Sequence, residues 1–155
     1  MNIADVTGGG HGIGRALCRR LHRDGRKVVV ADIEGDAART VAAEIDGIAR
    51  ELDVTNEAAM VAMIEDIEKD IGPIDLLISH PGVALGDGAA GTNSRDRSLV
   101  PAAERWVPSG QSNGMAHVHA ARALLPRMIE RGGGRLINTV SAAGLLSQLG
   151  DSAYT

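Results

Sequence analysis

The sequence has almost no aromatic residues and no phenylalanine, so aliphatic side chains must fill any core that it forms. Aromatic residues make up 1% of the 155 residues, whereas hydrophobic residues make up 44%. A chain of this length can bury the core of one domain. We therefore expect a single domain over residues 1–155, packed mainly with Ala, Val, Leu, Ile and Met.

The sequence also has only one cysteine, and it lacks a strong net charge and long apolar runs. The single cysteine, Cys18, excludes an internal disulfide and fits a reducing compartment. The net charge is −4 with both signs mixed along the chain, which argues against a nucleic-acid partner. Because the sequence shows no signal-peptide pattern and no apolar run of membrane-spanning length, we expect a cytoplasmic protein without a membrane partner.

Metal-binding patterns are scarce as well. His117 and His119 resemble a ligand pair, but residues two apart on a helix point to nearly opposite sides. No cluster of cysteines or carboxylates completes a set of ligands around them. We interpret both as surface histidines and expect no bound metal.

The most informative segment that is present is a glycine-rich turn between a short apolar strand, 3–7, and a helix. From Ile13 onward the helix shows apolar residues at 13, 16, 17 and 21. Such a turn, with free N–H groups and the positive end of a helix dipole behind it, suits a diphosphate. Its spacing, Gly-x-x-x-Gly-x-Gly, is not the commoner dinucleotide fingerprint, so a purely structural turn stays an alternative. The positions expected to contact the ligand are Gly8, His11, Gly12, Ile13 and Gly14.

An acidic residue follows the second predicted strand. The apolar run 27–31 is typical of a parallel strand covered on both faces, and it ends at Asp32, eighteen residues after Gly14. A carboxylate there can accept hydrogen bonds from the adenosine ribose hydroxyls, with Ile33 beside it. An acid at this position would repel a 2′-phosphate, so the pattern favours NAD over NADP.

Predicted strands and helices alternate along the rest of the chain. Met60, Ile64, Ile67 and Ile71 form one apolar helical stripe, for which Thr55 is the expected N-cap. Alternation of this kind predicts an α/β fold, a doubly wound parallel sheet with helices on both faces and strand order 3-2-1-4-5. The further predicted elements are helix 36–46, strand 48–52, strand 74–79, helix 113–131 and strand 135–140.

Residues 84–112 break this rhythm. They contain scattered Gly, Ser, Asn and Pro residues and no apolar period. We expect an irregular, loop-like segment, either mobile over the site or lacking a structural pattern. The second interpretation is favoured because the segment has little apolar material with which to close.

Several motifs together resemble the short-chain dehydrogenase/reductase family. Ser141 lies in Asn-Thr-Val-Ser-Ala-Ala-Gly (138–144), and Tyr154 follows it by thirteen residues. Leu-Asp-Val-Thr (52–55) is similar to the family's adenine-contacting segment, and Trp106 precedes Asn113 at the family's spacing. The resemblance covers the chain except for about residues 84–103. It implies a Rossmann-type fold and hydride transfer between nicotinamide and a secondary alcohol or ketone.

The resemblance also implies a role for each matched residue. Tyr154 would exchange the hydroxyl proton, Ser141 would hydrogen-bond the substrate oxygen, and Asn113 would hold a helix backbone and an ordered water. The implied cofactor is NAD and the implied partner is a small alcohol or carbonyl substrate. The remaining expected cofactor contacts are Asp53 and Val54 at the adenine, and His80 and Gly82 in the segment that replaces the family's Asn-Asn-Ala-Gly.

The chain departs from the family pattern in ways that leave alternatives open. The lysine expected four residues after Tyr154 would fall beyond Thr155, so we expect a chain truncated after its fifth strand. An inactive fragment or a nucleotide-binding pseudoenzyme is therefore the alternative to an active oxidoreductase. A homo-oligomer formed through the apolar edge 136–140 is a further alternative.

Asp5 lies in a strand that should be buried, where an unpaired carboxylate is costly.

Overall fold

A parallel sheet with helices packed on it organises the protein. The computed structural model describes residues 2–82, 107 and 110–145. Two short helical turns, a π-helix at Gly110–Met115 and a 3₁₀-helix at Ala142–Leu145, accompany the main elements. The strands are β1 (Ile3–Thr7), β2 (Lys27–Asp32), β3 (Ile48–Glu51), β4 (Ile74–Ser79) and β5 (Arg135–Asn138); the α-helices are α1 (Gly12–Arg23), α2 (Gly35–Glu44), α3 (Glu57–Asp70) and α4 (Ala116–Glu130).

The five strands form one sheet in the order β3-β2-β1-β4-β5, with every neighbouring pair parallel. This confirms the predicted order. From β1 the chain first adds β2 and β3 on one side, and it later adds β4 and β5 on the other side. The direction in which strands are added therefore reverses beside β1. Crevices at the carboxyl ends of the strands form at such a reversal, and this is where ligands bind in open α/β sheets.

Helices cover both faces of the sheet, as predicted, because side chains alternate in direction along each strand. Ile3 of β1 belongs to the core cluster beneath α3 and α4, together with Ile64 and Leu124. The next residue, Ala4, belongs to the opposite cluster beneath α1 and α2, which also contains Val41. Aliphatic and methionine side chains fill both clusters, so the composition-based expectation holds for the described residues.

The helix predicted from Ile13 onward is confirmed, but its buried face differs from its apolar pattern, and the predicted N-cap of α3 is wrong by one residue. Helix α1 buries Gly14, Cys18 and Leu21, whereas Ile13 is 65% exposed and Ala16 is also exposed. The inward face is rotated because Gly14 and Cys18 pack against the glycine turn itself. The N-cap of α3 is Asn56, whose side-chain oxygen accepts a hydrogen bond from the Ala59 amide at 3.1 Å.

The helix predicted over 113–131 begins differently. Its α-helical part starts at Ala116, and the π-helix before it includes Gly110 to Ser112, which were expected to be irregular. The other predicted element boundaries agree within two residues.

Most of segment 84–112, like Tyr154, lies outside the described residues. Within the described ranges, no helix is long and apolar enough to cross a membrane.

The interpretation of two histidines as surface residues is wrong. His117 is 9% exposed and His119 is 6% exposed. Both fit in the interior because each finds a hydrogen-bond partner: His117 bonds Ser79 and His119 bonds the carbonyl oxygen of Val54. Among the described residues, no group of three or more His, Cys, Asp or Glu side chains is placed to hold a metal.

Asp5 is buried as the sequence indicated. It is fully shielded from solvent in the middle of β1, between Val29 and Leu77 of the neighbouring strands. Neither carboxylate oxygen has a hydrogen-bond partner within the described residues. Burial raises the pKa of Asp5 to about 7.

Candidate functional site

The glycine turn is shaped by close backbone contacts that only glycine allows. Gly8 has a φ of +68°, and a Cβ there would overlap the carbonyl oxygen of His80. A Cβ at Gly14 would overlap the carbonyl oxygen of Gly8. The two glycines therefore let the turn lie directly against both β4 and the start of α1.

The outer side of the same turn is open. Gly12 has a φ of +46°, and a Cβ there would meet no atom within 4 Å. His11 is the N-cap of α1 but makes no side-chain cap hydrogen bond. Among the described residues, His11 therefore supplies no side-chain cap to the first N–H groups of the helix, and the helix dipole favours negative charge beside them. A diphosphate fits this combination of open space and a helix N-terminus without a side-chain cap.

Asp32 joins the glycine turn to the end of β2. It is 8% exposed, and its Oδ2 accepts a hydrogen bond from the Gly10 amide at 2.8 Å. Its Oδ1 accepts another from the Glu34 amide at 3.0 Å. A Cβ at Gly10 would lie only 2.8 Å from that Oδ2, so the third glycine of the run makes room for the carboxylate. Sequence reasoning missed this role of Gly10, for which the run of three glycines was the available signal.

Exposed side chains surround this carboxylate. His11 and Glu34 face each other with 3.3 Å between Nε2 and Oε2, and Ile33 is 66% exposed. The Leu52 amide donates to the carbonyl oxygen of Asp32 at 2.9 Å. That contact brings the segment after β3 to the same end of the sheet as the glycine turn.

The segment after β3 supplies the residues expected at the adenine. Asp53 is exposed, and its Oδ1 accepts hydrogen bonds from the Thr55 amide at 2.9 Å and the Thr55 hydroxyl at 2.7 Å. Val54 is half-buried and packs against the core beneath α3 and α4. Thr55 thus orders the loop through Asp53 rather than capping α3.

The segment after β4 closes the other side of the crevice. The His80 amide donates to Oγ1 of Thr7 at 3.1 Å, which ties this segment to the end of β1. Within the described residues, Nδ1 of His80 is buried and has no hydrogen-bond partner. Gly82 is exposed two residues further on.

Two of the three predicted catalytic residues reach the same end of the sheet. Asn113 lies in the π-helix before α4, where the Ser112 hydroxyl donates to its Oδ1 at 3.3 Å. Single π-helical turns are rare and are frequent at functional sites. Ser141 is exposed and follows the carboxyl end of β5. Tyr154 lies outside the described residues, so its position relative to these two stays a prediction.

These elements define a Rossmann-type fold, with the glycine turn and Asp32 beside its strand-order reversal. A family model described as short chain dehydrogenase matches residues 2–155. The chain belongs to that family, whose members are oxidoreductases that use a nicotinamide cofactor. The match includes the positions of Ser141 and Tyr154, so it does not favour the alternative of an inactive fragment.

Individual relatives agree with this assignment. The 2-dehydro-3-deoxy-L-rhamnonate dehydrogenase (NAD(+)) of a Sphingomonas species is 34% identical, over 98% of this chain and 58% of its own length. The NADP-dependent 3-hydroxy acid dehydrogenase YdfG of Shigella flexneri is 31% identical, over 98% of this chain and 59% of its own length. NAD+-bound xylitol dehydrogenase superimposes with a TM-score of 0.84 at 27% identity, over 99% of this chain and 58% of that one. The chain spans little more than half the length of these relatives.

Proposed function

We propose that this chain binds NAD and takes part in hydride transfer between the nicotinamide and a secondary alcohol or ketone. The observation that carries the cofactor preference is the carboxylate of Asp32, held at the end of β2 by two backbone amides. Relatives that use NAD and relatives that use NADP both match the chain, so family membership alone does not decide between them.

Charge at the end of β2 favours the cofactor without a 2′-phosphate. Asp32 cannot easily turn away from a ligand, because the Gly10 and Glu34 amides hold both of its oxygens. Glu34 adds a second carboxylate nearby, partly offset by His11 when that ring is protonated. A ribose with free hydroxyls would donate to the Asp32 carboxylate, whereas a phosphate there would be repelled.

The catalytic roles follow from the chemistry of the matched residues. NAD, when bound, supplies the hydride acceptor. The Ser141 hydroxyl would donate a hydrogen bond to the substrate oxygen, where negative charge develops during the reaction. Tyr154 would take up or return the proton of that oxygen, and Asn113 would fix the backbone at the start of α4. The substrate is a small molecule with a hydroxyl or carbonyl group.

Fluorescence titration with NADH and NADPH tests the cofactor proposal directly. We expect the unmodified chain to bind NADH more tightly than NADPH. Asp32→Asn keeps the shape of the side chain and one oxygen acceptor but removes the charge. This variant should reduce the preference for NADH, measured as the ratio of the NADPH to the NADH dissociation constant, by about tenfold. That change corresponds to about 1.4 kcal/mol.

The matched control is Asp66→Asn, which removes one exposed carboxylate from α3, away from the turn. It should leave both affinities unchanged. Circular dichroism would confirm that each variant is folded. A chain that prefers NADPH, or an affinity ratio that Asp32→Asn does not alter, would contradict the proposal.

A further inference from the structure

A buried hydrogen-bonded group lies beneath the catalytic end of the sheet, where α4 meets β4 and β5. Nδ1 of His117 is 2.7 Å from the hydroxyl oxygen of Ser79, and both residues are buried. The carbonyl oxygen of Ser79 accepts a hydrogen bond from the Thr139 amide at 2.9 Å. His117, Ser79 and Thr139 therefore connect one helix and two strands through consecutive contacts.

The protonation of His117 determines which atom donates. Burial lowers the pKa of His117, and the neighbouring His80 lowers it further, while a hydrogen bond to the Thr139 backbone acts in the opposite direction. A neutral imidazole has one N–H donor and one unprotonated nitrogen that can accept. Nδ1 of His117 and the Ser79 hydroxyl therefore share one hydrogen bond, in which the hydroxyl donates when Nδ1 is unprotonated and accepts when Nδ1 carries the proton.

The position of this group in the chain connects it to the catalytic candidates. His117 lies in the first turn of α4, directly after the π-helix that contains Asn113. Thr139 follows β5 and precedes Ser141 by two residues. The side chain of His117 thus links the segment that presents Asn113 to the segment that presents Ser141.

We propose that His117 is a positioning residue, which through Ser79 and Thr139 holds the Ser141 segment in register with the Asn113 segment. The proposal rests on the proposed function for the roles of Asn113 and Ser141. The contacts of His117 do not depend on that function.

His119 provides a matched comparison within the same helix. It is also buried, but its Nδ1 lies 3.2 Å from the carbonyl oxygen of Val54, on the β3 side of the fold. Replacing either histidine by leucine removes one buried ring of the same type from the same helix. Only the replacement of His117 should release the segment after β5.

Hydrogen exchange of the Thr139 amide, measured by NMR on the whole chain, tests this difference. We expect His117→Leu to raise the exchange rate of that amide by about tenfold or more, because local opening of the segment becomes easier. His119→Leu should leave the rate unchanged. The Gly9 amide, bonded to the Ala31 carbonyl oxygen at 3.0 Å, serves as an internal reference on another part of the sheet.

Two further measurements separate positioning from general packing. Long-range proton–nitrogen NMR of the imidazole should show a neutral His117, and Ser79→Ala should shift its Nδ1 signal. His117→Gln, which keeps a donor and an acceptor, should restore part of the slow exchange at Thr139. In turnover assays, His117→Leu should lower kcat by about tenfold to a hundredfold while the KM for NADH changes little.

Equal acceleration of Thr139 exchange by both leucine variants would overturn the proposal, and so would unchanged exchange in His117→Leu. An Nδ1 signal of His117 that Ser79→Ala leaves unshifted would also overturn it. Failure of the proposed function is distinguishable, because it would appear as absent NADH binding in the unmodified chain. In that case the exchange and NMR results would still decide whether His117 positions the segment.

Discussion

Replacing the buried carboxylate of Asp5 should stabilise the protein, and by more as the pH rises. Burial raises the pKa of Asp5 from 3.8 to about 7, although the Val6 backbone and the charge of Arg50 oppose this shift. The folded state therefore keeps its proton at pH values where the unfolded state has already lost it. Since the unfolded state ionises first, unfolding becomes easier as the pH increases between these two values.

The size of the effect follows from the two pKa values. The gap between 3.8 and about 7 is about 3 pH units, and 1.36 kcal/mol per unit gives about 4 kcal/mol. This destabilisation is nearly absent below the lower pKa and fully developed above the upper one. Asp5→Val removes the ionisable group and places a β-branched side chain between Val29 and Leu77.

Urea denaturation followed by circular dichroism, at several values from about pH 4 to about pH 8, measures the effect. At each pH we compare the free energy of unfolding of Asp5→Val with that of the unmodified chain. The advantage of the variant should be about 4 kcal/mol larger at about pH 8 than at about pH 4. Asp66→Val, at an exposed position on α3, is the control and should show no comparable trend. A difference between Asp5→Val and the unmodified chain that stays constant with pH would refute the reasoning.

Three further predictions concern the turn, a helix cap and the sheet edge. Gly8→Ala should lose more stability in urea denaturation than Gly12→Ala, because both have positive φ but only Gly8 would also meet the His80 carbonyl oxygen. Asn56→Ala should cost about 1 kcal/mol in the same assay, because it removes the side-chain cap of α3. Ile137→Lys should weaken any self-association seen by analytical ultracentrifugation, because Ile137 is 46% exposed on edge strand β5.

Each of these predictions has an outcome that would contradict it. Equal losses in Gly8→Ala and Gly12→Ala would mean that the turn does not depend on the contact with β4. An Asn56→Ala variant as stable as the unmodified chain would show that the cap contributes nothing. A self-associating Ile137→Lys variant would place the contact between copies away from the edge of β5.

Local patterns in the sequence were enough to predict the sheet. Buried parallel strands have nearly continuous apolar runs, and helices with one buried face repeat at about 3.6 residues, so both are visible without tertiary information. The order of the strands followed from the alternation of these elements. The glycine turn could also be predicted, because few residue types tolerate a positive φ beside a helix N-terminus. The ligand contacts expected at this turn stay a prediction.

The errors occurred where a contact between distant parts of the chain decided the outcome. His117 and His119 were interpreted as surface residues, because nothing near them in sequence reveals Ser79 or the Val54 carbonyl oxygen as partners. The buried face of α1 does not follow its apolar pattern, because Gly14 and Cys18 pack against the turn.

By itself, the sequence determined the fold class, the glycine turn and the acid at the end of β2, since each depends on residues close together in the chain. Tertiary structure alone decided that Asp32 holds Gly10, that His117 reaches Ser79, and that the Thr139 amide bonds the Ser79 carbonyl oxygen. The physical reason is that burying a polar side chain costs less free energy where a partner compensates its lost hydration. Such partners lie on other elements, and only the packed sheet and helices bring them together.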